Sequence, residues 1–259
     1  MDRTESDEGL LVGSFNIQNF GRSDEKDDAS QIVSKILARY DFILVKEVSH
    51  SEKFSIQWLV GFLNDQFGDV YDYRIGSTCF RYIKEKYGFV YRKDKIGLSN
   101  MSLYEEQLHR YQRQPLVVRL NRKDKRGKQK GFTFIAMHTK PQDPVKEIRD
   151  MTDVYKDSMW HCDSECLIVC NLDTDCNPVR KSKWDDAIRK SDTFNGLPSV
   201  EDNTTVETGH TYERIMVAGD ELLKNACNPR IFRFDQHFNI DSEQAKRVSD
   251  QYPIELRIE

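Results

Sequence analysis

The chain has 259 residues, of which 38% are hydrophobic and 32% charged, and a formal net charge of −4. That balance suits one large soluble domain with a substantial core and gives no global field toward nucleic acid or anionic membrane, so any polyanion contact must be local. No apolar run approaches the roughly 20 residues that a bilayer-spanning helix needs.

Residues 1–9 are polar and acidic, unlike a secretory leader, and read as a tail ahead of a single domain over 10–259. Leu10–Ile17 reads as a strand that delivers Asn16 at its end. Asp28–Tyr40 has helical spacing through Ile32, Val33, Ile36, Leu37 and Tyr40. Phe42–Val45 is a short apolar strand ending at Lys46 and Glu47, and Phe54–Phe67 carries an apolar helical stripe. Tyr71–Ser77 and Tyr87–Tyr91 read as strands, with Glu85 between them.

Pro115–Leu120 and Phe132–Met137 read as two strands joined by the basic segment Asn121–Lys130. A charged hairpin tip is usually a solvated loop, with a phosphate-backbone contact as the sharper alternative. His138 ends the second strand, and Val145–Trp160 is an amphipathic helix. Cys166–Cys170 is an apolar run that suits a strand buried on both faces, stopping at Asn171, Asp173 and Asp175. Lys183–Lys190 reads as a short helix, Val200–Thr208 as a polar loop, and Tyr212–Val217 and Ile254–Ile258 as strands.

The six cysteines form neither a CxxC pair nor a disulfide-scaffold density, and Cys166 and Cys170 are expected to face the core from one strand. Asn100 and Asn203 head glycosylation sequons, a pattern that also arises by chance.

The strand ends share a chemistry. Asn16, Glu47, Glu85, His138, Asn171, Asp173, Glu213 and Asp250 make a ring of oxygen donors plus one imidazole at one rim. Oxygen donors favour Mg²⁺, Mn²⁺ or Ca²⁺ over zinc, and a divalent ion beside His–carboxylate pairs suits phosphodiester hydrolysis.

The strings Ser-Phe-Asn-Ile-Gln-Asn-Phe-Gly (14–21), Ile-Leu-Val-Lys-Glu-Val (43–48), Lys-Glu-Lys-Tyr (84–87), Arg-Gln-Pro-Leu-Val-Val (113–118), Met-His-Thr-Lys-Pro (137–141), Asn-Leu-Asp-Thr-Asp-Cys (171–176), Tyr-Glu-Arg-Ile-Met-Val-Ala-Gly (212–219) and Ser-Asp-Gln-Tyr-Pro-Ile-Glu (249–255) resemble the deoxyribonuclease I family in order and spacing. The resemblance implies the α/β/β/α four-layer sandwich of the endonuclease/exonuclease/phosphatase superfamily, with two packed mixed sheets and outer helices. By the same resemblance Asn16, Glu47, Glu85, His138 and Asp250 match catalytic or metal positions. Glu47 would hold an ion, His138 with Glu85 would form one acid–base dyad, and Arg113 would meet the DNA backbone.

Against that pattern the chain departs at several points. Asn171 and Asp173 stand with acid and amide exchanged, Glu213 replaces Asp, and Gln251 replaces the second histidine. Gln cannot carry a proton near neutral pH. Gln18, Ser49 and Ile83 replace side chains that contact DNA in the family. Asp202, Thr204 and Thr208 match one calcium loop, while His109 and Gln114 replace acids of the other. Cys176 matches a disulfide cysteine whose partner position holds His210. That loss favours an intracellular setting, while the family's frequent secretion and the sequons favour the opposite.

Three readings follow. The first is a deoxyribonuclease I-like protein with an eroded catalytic centre, acting through binding or as a structural component, with Mg²⁺ or Mn²⁺, structural Ca²⁺, or no ion bound. The second is an active divalent-metal endonuclease in which Asp173 takes over the ligand role lost at Asn171. The third is a phosphodiesterase or phosphatase on another substrate. DNA is the implied partner, bound more weakly than in the family. The resemblance also names actin, without a position-by-position match of that interface.

Overall fold

The computed structural model describes residues 9–17, 28–46, 56–79, 84–105, 110–111, 113–123, 127–139, 144–159, 165–171, 204–206 and 213–259. The strands are β1 (Leu10–Asn16), β2 (Phe42–Lys46), β3 (Tyr71–Cys79), β4 (Lys84–Arg92), β5 (Ile96–Leu103), β6 (Leu116–Lys123), β7 (Gln129–His138), β8 (Cys166–Asn171), β9 (Glu213–Ala218), β10 (Ala226–Ile231) and β11 (Ile254–Ile258). The helices are α1 (Asp28–Leu37), α2 (Ile56–Phe67), α3 (Pro144–Met159), α4 (Asp220–Asn225), α5 (Phe234–Phe238) and α6 (Ser242–Val248).

The strands form two sheets, ordered β10-β11-β1-β2-β4-β3 and β5-β6-β7-β8-β9. Only β1–β2 and β7–β8 run parallel; every other described pair is antiparallel. Each parallel step needs a crossover, and α1 and α3 supply the two.

Period-two alternation then sorts the side chains into layers. Leu10, Val12, Phe42, Leu44 and Phe89 of the first sheet meet Val118, Phe134, Leu167 and Val217 of the second in the central layer. The alternate residues Leu11, Phe15, Ile43 and Val45 pack outward on α1 and α2, with Phe234 of α5 and Ala245 of α6. On the other side Ile135, Ile168, Cys170 and Met216 pack on Met151 and Val154 of α3. The expected four-layer sandwich is therefore the fold.

Several boundaries differ from the sequence expectation. Helix α1 stops at Leu37, and Ala38 and Arg39 turn the chain so that Tyr40 packs on β1. β4 begins at Lys84, so Glu85 lies within a strand rather than between two. The basic segment is mostly ladder, because β6 runs to Lys123 and β7 starts at Gln129. The Lys123–Gln129 pair lies at the opposite end of that ladder from His138. There Arg122 donates to the Ile258 and Glu259 carbonyls. The helix expected over Lys183–Lys190 and the sequon asparagine Asn203 lie outside the described residues.

Candidate active site

The two sheets open at one edge, and chain direction decides which residues stand there. β1 and β2 are parallel and end at Asn16 and Lys46, paired in register. β11 runs antiparallel to β1, with Ser14 opposite Ile254, so the segment entering β11, Asp250–Pro253, lies at the same edge. In the second sheet β7 and β8 end together at His138 and Asn171, while antiparallel β9 begins opposite them at Glu213.

Alternation also aims these residues. Asn16 continues the phase of Val12, Lys46 that of Leu44, His138 that of Ala136, Asn171 that of Val169 and Glu213 that of Ile215, all central-layer positions. Five polar side chains therefore replace the apolar filling where the central layer reaches its mouth, and all five are buried.

Across this mouth Lys46 Nζ forms an ion pair with Glu213 Oε1, joining the two sheets with both side chains about 1% exposed. Glu213 Oε2, Asn171 Oδ1 and Gln251 Oε1 are buried without a hydrogen-bond partner among the described residues. Buried polar atoms usually find partners, and a cluster of exceptions marks a place prepared for something else.

Backbone bonds hold the rim. Thr139 donates to the Asn171 carbonyl through its amide at 2.9 Å and its hydroxyl at 3.1 Å. Arg113 Nη1 donates to the Thr139 carbonyl at 3.2 Å, which places the expected DNA-contacting arginine beside His138. Ser249 Oγ donates to the Asn16 carbonyl at 2.7 Å and accepts from the Gln251 amide at 3.0 Å, tying Gln251 to the end of β1. Thr205 bridges Gln251, and the Thr204 carbonyl accepts from the Tyr252 amide at 2.8 Å. The Val206 amide donates to the Asp250 carbonyl at 2.8 Å.

Behind Asn171, burial pushes the Cys170 thiol up to about 12, with Lys46 opposing and Glu147 adding to the shift. Cys170 stays protonated and serves as filling rather than as a nucleophile.

The structure thus brings together Asn16, His138, Asn171, Glu213 and Gln251, with Asp250, Thr204 and Arg113 at the rim. Glu85 lies in β4 opposite Thr78. Gln18, Glu47, Ser49, Ile83, His109, Asp173, Cys176, Asp202, Thr208 and His210 lie outside the described residues. Gln114 donates to the Tyr104 carbonyl at 3.3 Å, so it props its own loop.

Lys46, Thr139 and Ser249 are absent from the sequence-based set. For Lys46 the signal was present, since Phe42, Leu44 and Lys46 share one phase of the same strand. For the donor set a metal would need, no group of three or more His, Cys, Asp or Glu is arranged among the described residues to hold an ion. Glu213 is also already taken by an ammonium. The described part of the centre does not fit a cation at Glu213.

No family model matches the chain. Bovine Deoxyribonuclease-1 is 31% identical over 264 residues, covering 96% of this chain and 92% of that protein. Human Deoxyribonuclease-1 is 32% identical over 266 residues, with the same coverage of 96% and 92%. The chain belongs to the deoxyribonuclease I family. Its fold recurs in the human Nocturnin catalytic domain with bound sulfate anion, at a TM-score of 0.64 and 14% identity over 97% of this chain and 94% of that one. An endonuclease/exonuclease/phosphatase family protein from Leptotrichia buccalis also gives 0.64 and 14%, over 96% and 99%. D. rerio TDP2 complexed with single strand DNA product gives 0.58 and 11%, over 98% and 100%. Among the described residues no helix is long and apolar enough to cross a membrane.

Proposed function

We propose that this member of the deoxyribonuclease I family binds phosphodiesters at the mouth between the sheets but hydrolyses them weakly or not at all, and acts through binding or as a structural component. One observation carries the reading: the Glu213–Gln251 half of the centre has no side chain free to move a proton. Glu213 is held in a buried ion pair with Lys46, and Gln251 presents an amide where an acid or base would be needed. Loss of a general acid–base group lowers a rate by about 10²–10⁴. DNA is the ligand we propose, on the strength of the relatives' name, with Arg113 meeting its backbone and Asn16 and Asn171 meeting a phosphoryl group.

The other half supports a second reading, a working divalent-metal endonuclease. His138 is buried at the same mouth as Asn16 and Asn171, and imidazole can take and return a proton near neutral pH. In that reading Mg²⁺ or Mn²⁺ would be held by Glu47, Asp173 and Asp250, with structural Ca²⁺ at Asp202, Thr204 and Thr208. The ion would supply charge stabilisation at the phosphoryl oxygens.

Plasmid nicking in Mg²⁺, Mn²⁺ and Ca²⁺ decides between the two. Wild type is compared with the Gln251→His/Asn171→Asp/Glu213→Asp variant and with His138→Ala. A silent wild type and a nicking triple variant support lost chemistry on an intact scaffold. Wild-type nicking that disappears in His138→Ala establishes the endonuclease instead.

A further inference from the structure

We infer that Lys46 is a built-in counter-ion that closes the Glu213 side of the centre to divalent cations. The inference rests on the preceding reading only in taking this mouth as the phosphodiester site.

The argument starts from position. Lys46 is the last residue of β2 and continues the central-layer phase of Phe42 and Leu44, so its four-carbon stem follows those side chains into the gap between the sheets. A lysine there is fully buried, which is rare unless its charge is matched. The match is Glu213, brought by β9 from the facing sheet. The ammonium and the carboxylate are in direct contact, and neither has solvent to share its charge with.

A divalent ion at Glu213 would therefore have to approach an ammonium at about one ion-pair distance. In a water-poor cleft, repulsion between a single and a double positive charge at that range is strong. Expelling Lys46 instead would break this buried ion pair. Neutral amides fill the neighbouring positions, Asn16, Asn171 and Gln251, so no second carboxylate from them offsets that repulsion. Lys46 thereby sets how the centre responds to metal.

Binding of Mn²⁺, read by loss of the free-ion electron paramagnetic resonance signal, tests this without reference to hydrolysis. Lys46→Gln should bind Mn²⁺ at least tenfold more tightly than wild type. Lys46→Gln/Glu213→Gln should lose that gain, because the released carboxylate is gone. Lys46→Arg keeps the charge and should match wild type.

Should Lys46→Gln fail to fold, Glu213→Gln alone decides. Its Mn²⁺ affinity should stay within twofold of wild type, since Glu213 is not open to the ion. A tenfold fall in Glu213→Gln would overturn the inference, as would a Lys46→Gln affinity within twofold of wild type or a gain that survives in the double variant. A wild type that nicks DNA while Lys46→Gln gains Mn²⁺ sinks the proposed function and keeps this inference. A silent wild type with no such gain does the reverse.

Discussion

Glu255 and Glu213 are both buried carboxylates of this double sheet, yet their surroundings differ. Glu255 lies out of phase with Ile254 and Leu256, on the outer face of the first sheet. It accepts from Arg39 at 3.0 and 2.9 Å, from the Tyr40 hydroxyl at 2.8 Å and from Arg230 at 2.6 Å. Arg39 also lies over the Phe232 ring, 4.4 Å from its centroid. Glu213 faces the central layer with one ammonium in contact and one oxygen bonded to nothing described. A carboxylate with every lone pair used stabilises a fold; Glu213, with a single counter-ion and an unused oxygen, stands instead at the mouth between the sheets. The first region is structural and the second is the site.

The largest test of that contrast is Glu213→Leu, which removes the carboxylate that the buried Lys46 ammonium meets across the sheets. It should cost about 3–5 kcal/mol in urea unfolding. Adding Lys46→Met should then recover most of the loss, because a buried pair replaced by apolar residues is often neutral or stabilising by about 1–4 kcal/mol. A double variant as unstable as the single would make the Glu213 pair a structural element like Glu255 and erase the distinction.

Glu255→Gln should cost less, about 2 kcal/mol, since Arg39 and Arg230 can turn toward solvent. Its effect should depend on pH. Burial pushes the Glu255 carboxyl up, while hydrogen bonds and charge from Arg39, with Tyr40 and Arg230, pull it down further, leaving it below the ordinary 4.5. A lowered folded value means the unfolded chain takes up the proton first. The contribution is therefore present above about pH 4.5 and lost as pH falls through the lowered value. Stability measured from pH 6 to pH 3 should fall less steeply in Glu255→Gln than in wild type; parallel curves would remove Glu255 from the acid response.

The smallest effect expected is that of Ser249→Ala, about 1 kcal/mol, from losing the link between the Asn16 carbonyl and the Gln251 amide. Because that link orients the mouth rather than the core, a loss above about 3 kcal/mol would place Ser249 in the structural region instead.

Legibility followed pattern strength. Leu10–Asn16, Phe42–Lys46 and Cys166–Asn171 are buried throughout, and their apolar runs mark them in the sequence. Ile96–Leu103 is a half-exposed edge strand with mixed polarity, so nothing in its composition separates it from a loop. Ala226–Ile231 holds Pro229, a left-handed Asn228 and a bulge, features that normally argue against a strand. At an edge they are tolerated. Helix α6 did carry a readable start, since Asp241 and Gln244 form a reciprocal cap.

The same division holds at the site. Local sequence determined that polar residues end the strands and, through period two, which face each one takes. The order of those ends determined the family. What only the tertiary structure decided is that Lys46 meets Glu213, because alternation fixes the side of a strand but not which strand of the facing sheet lies across the gap. That choice comes from the packing of two whole sheets, and it turned a strand-end lysine into the counter-charge of the centre.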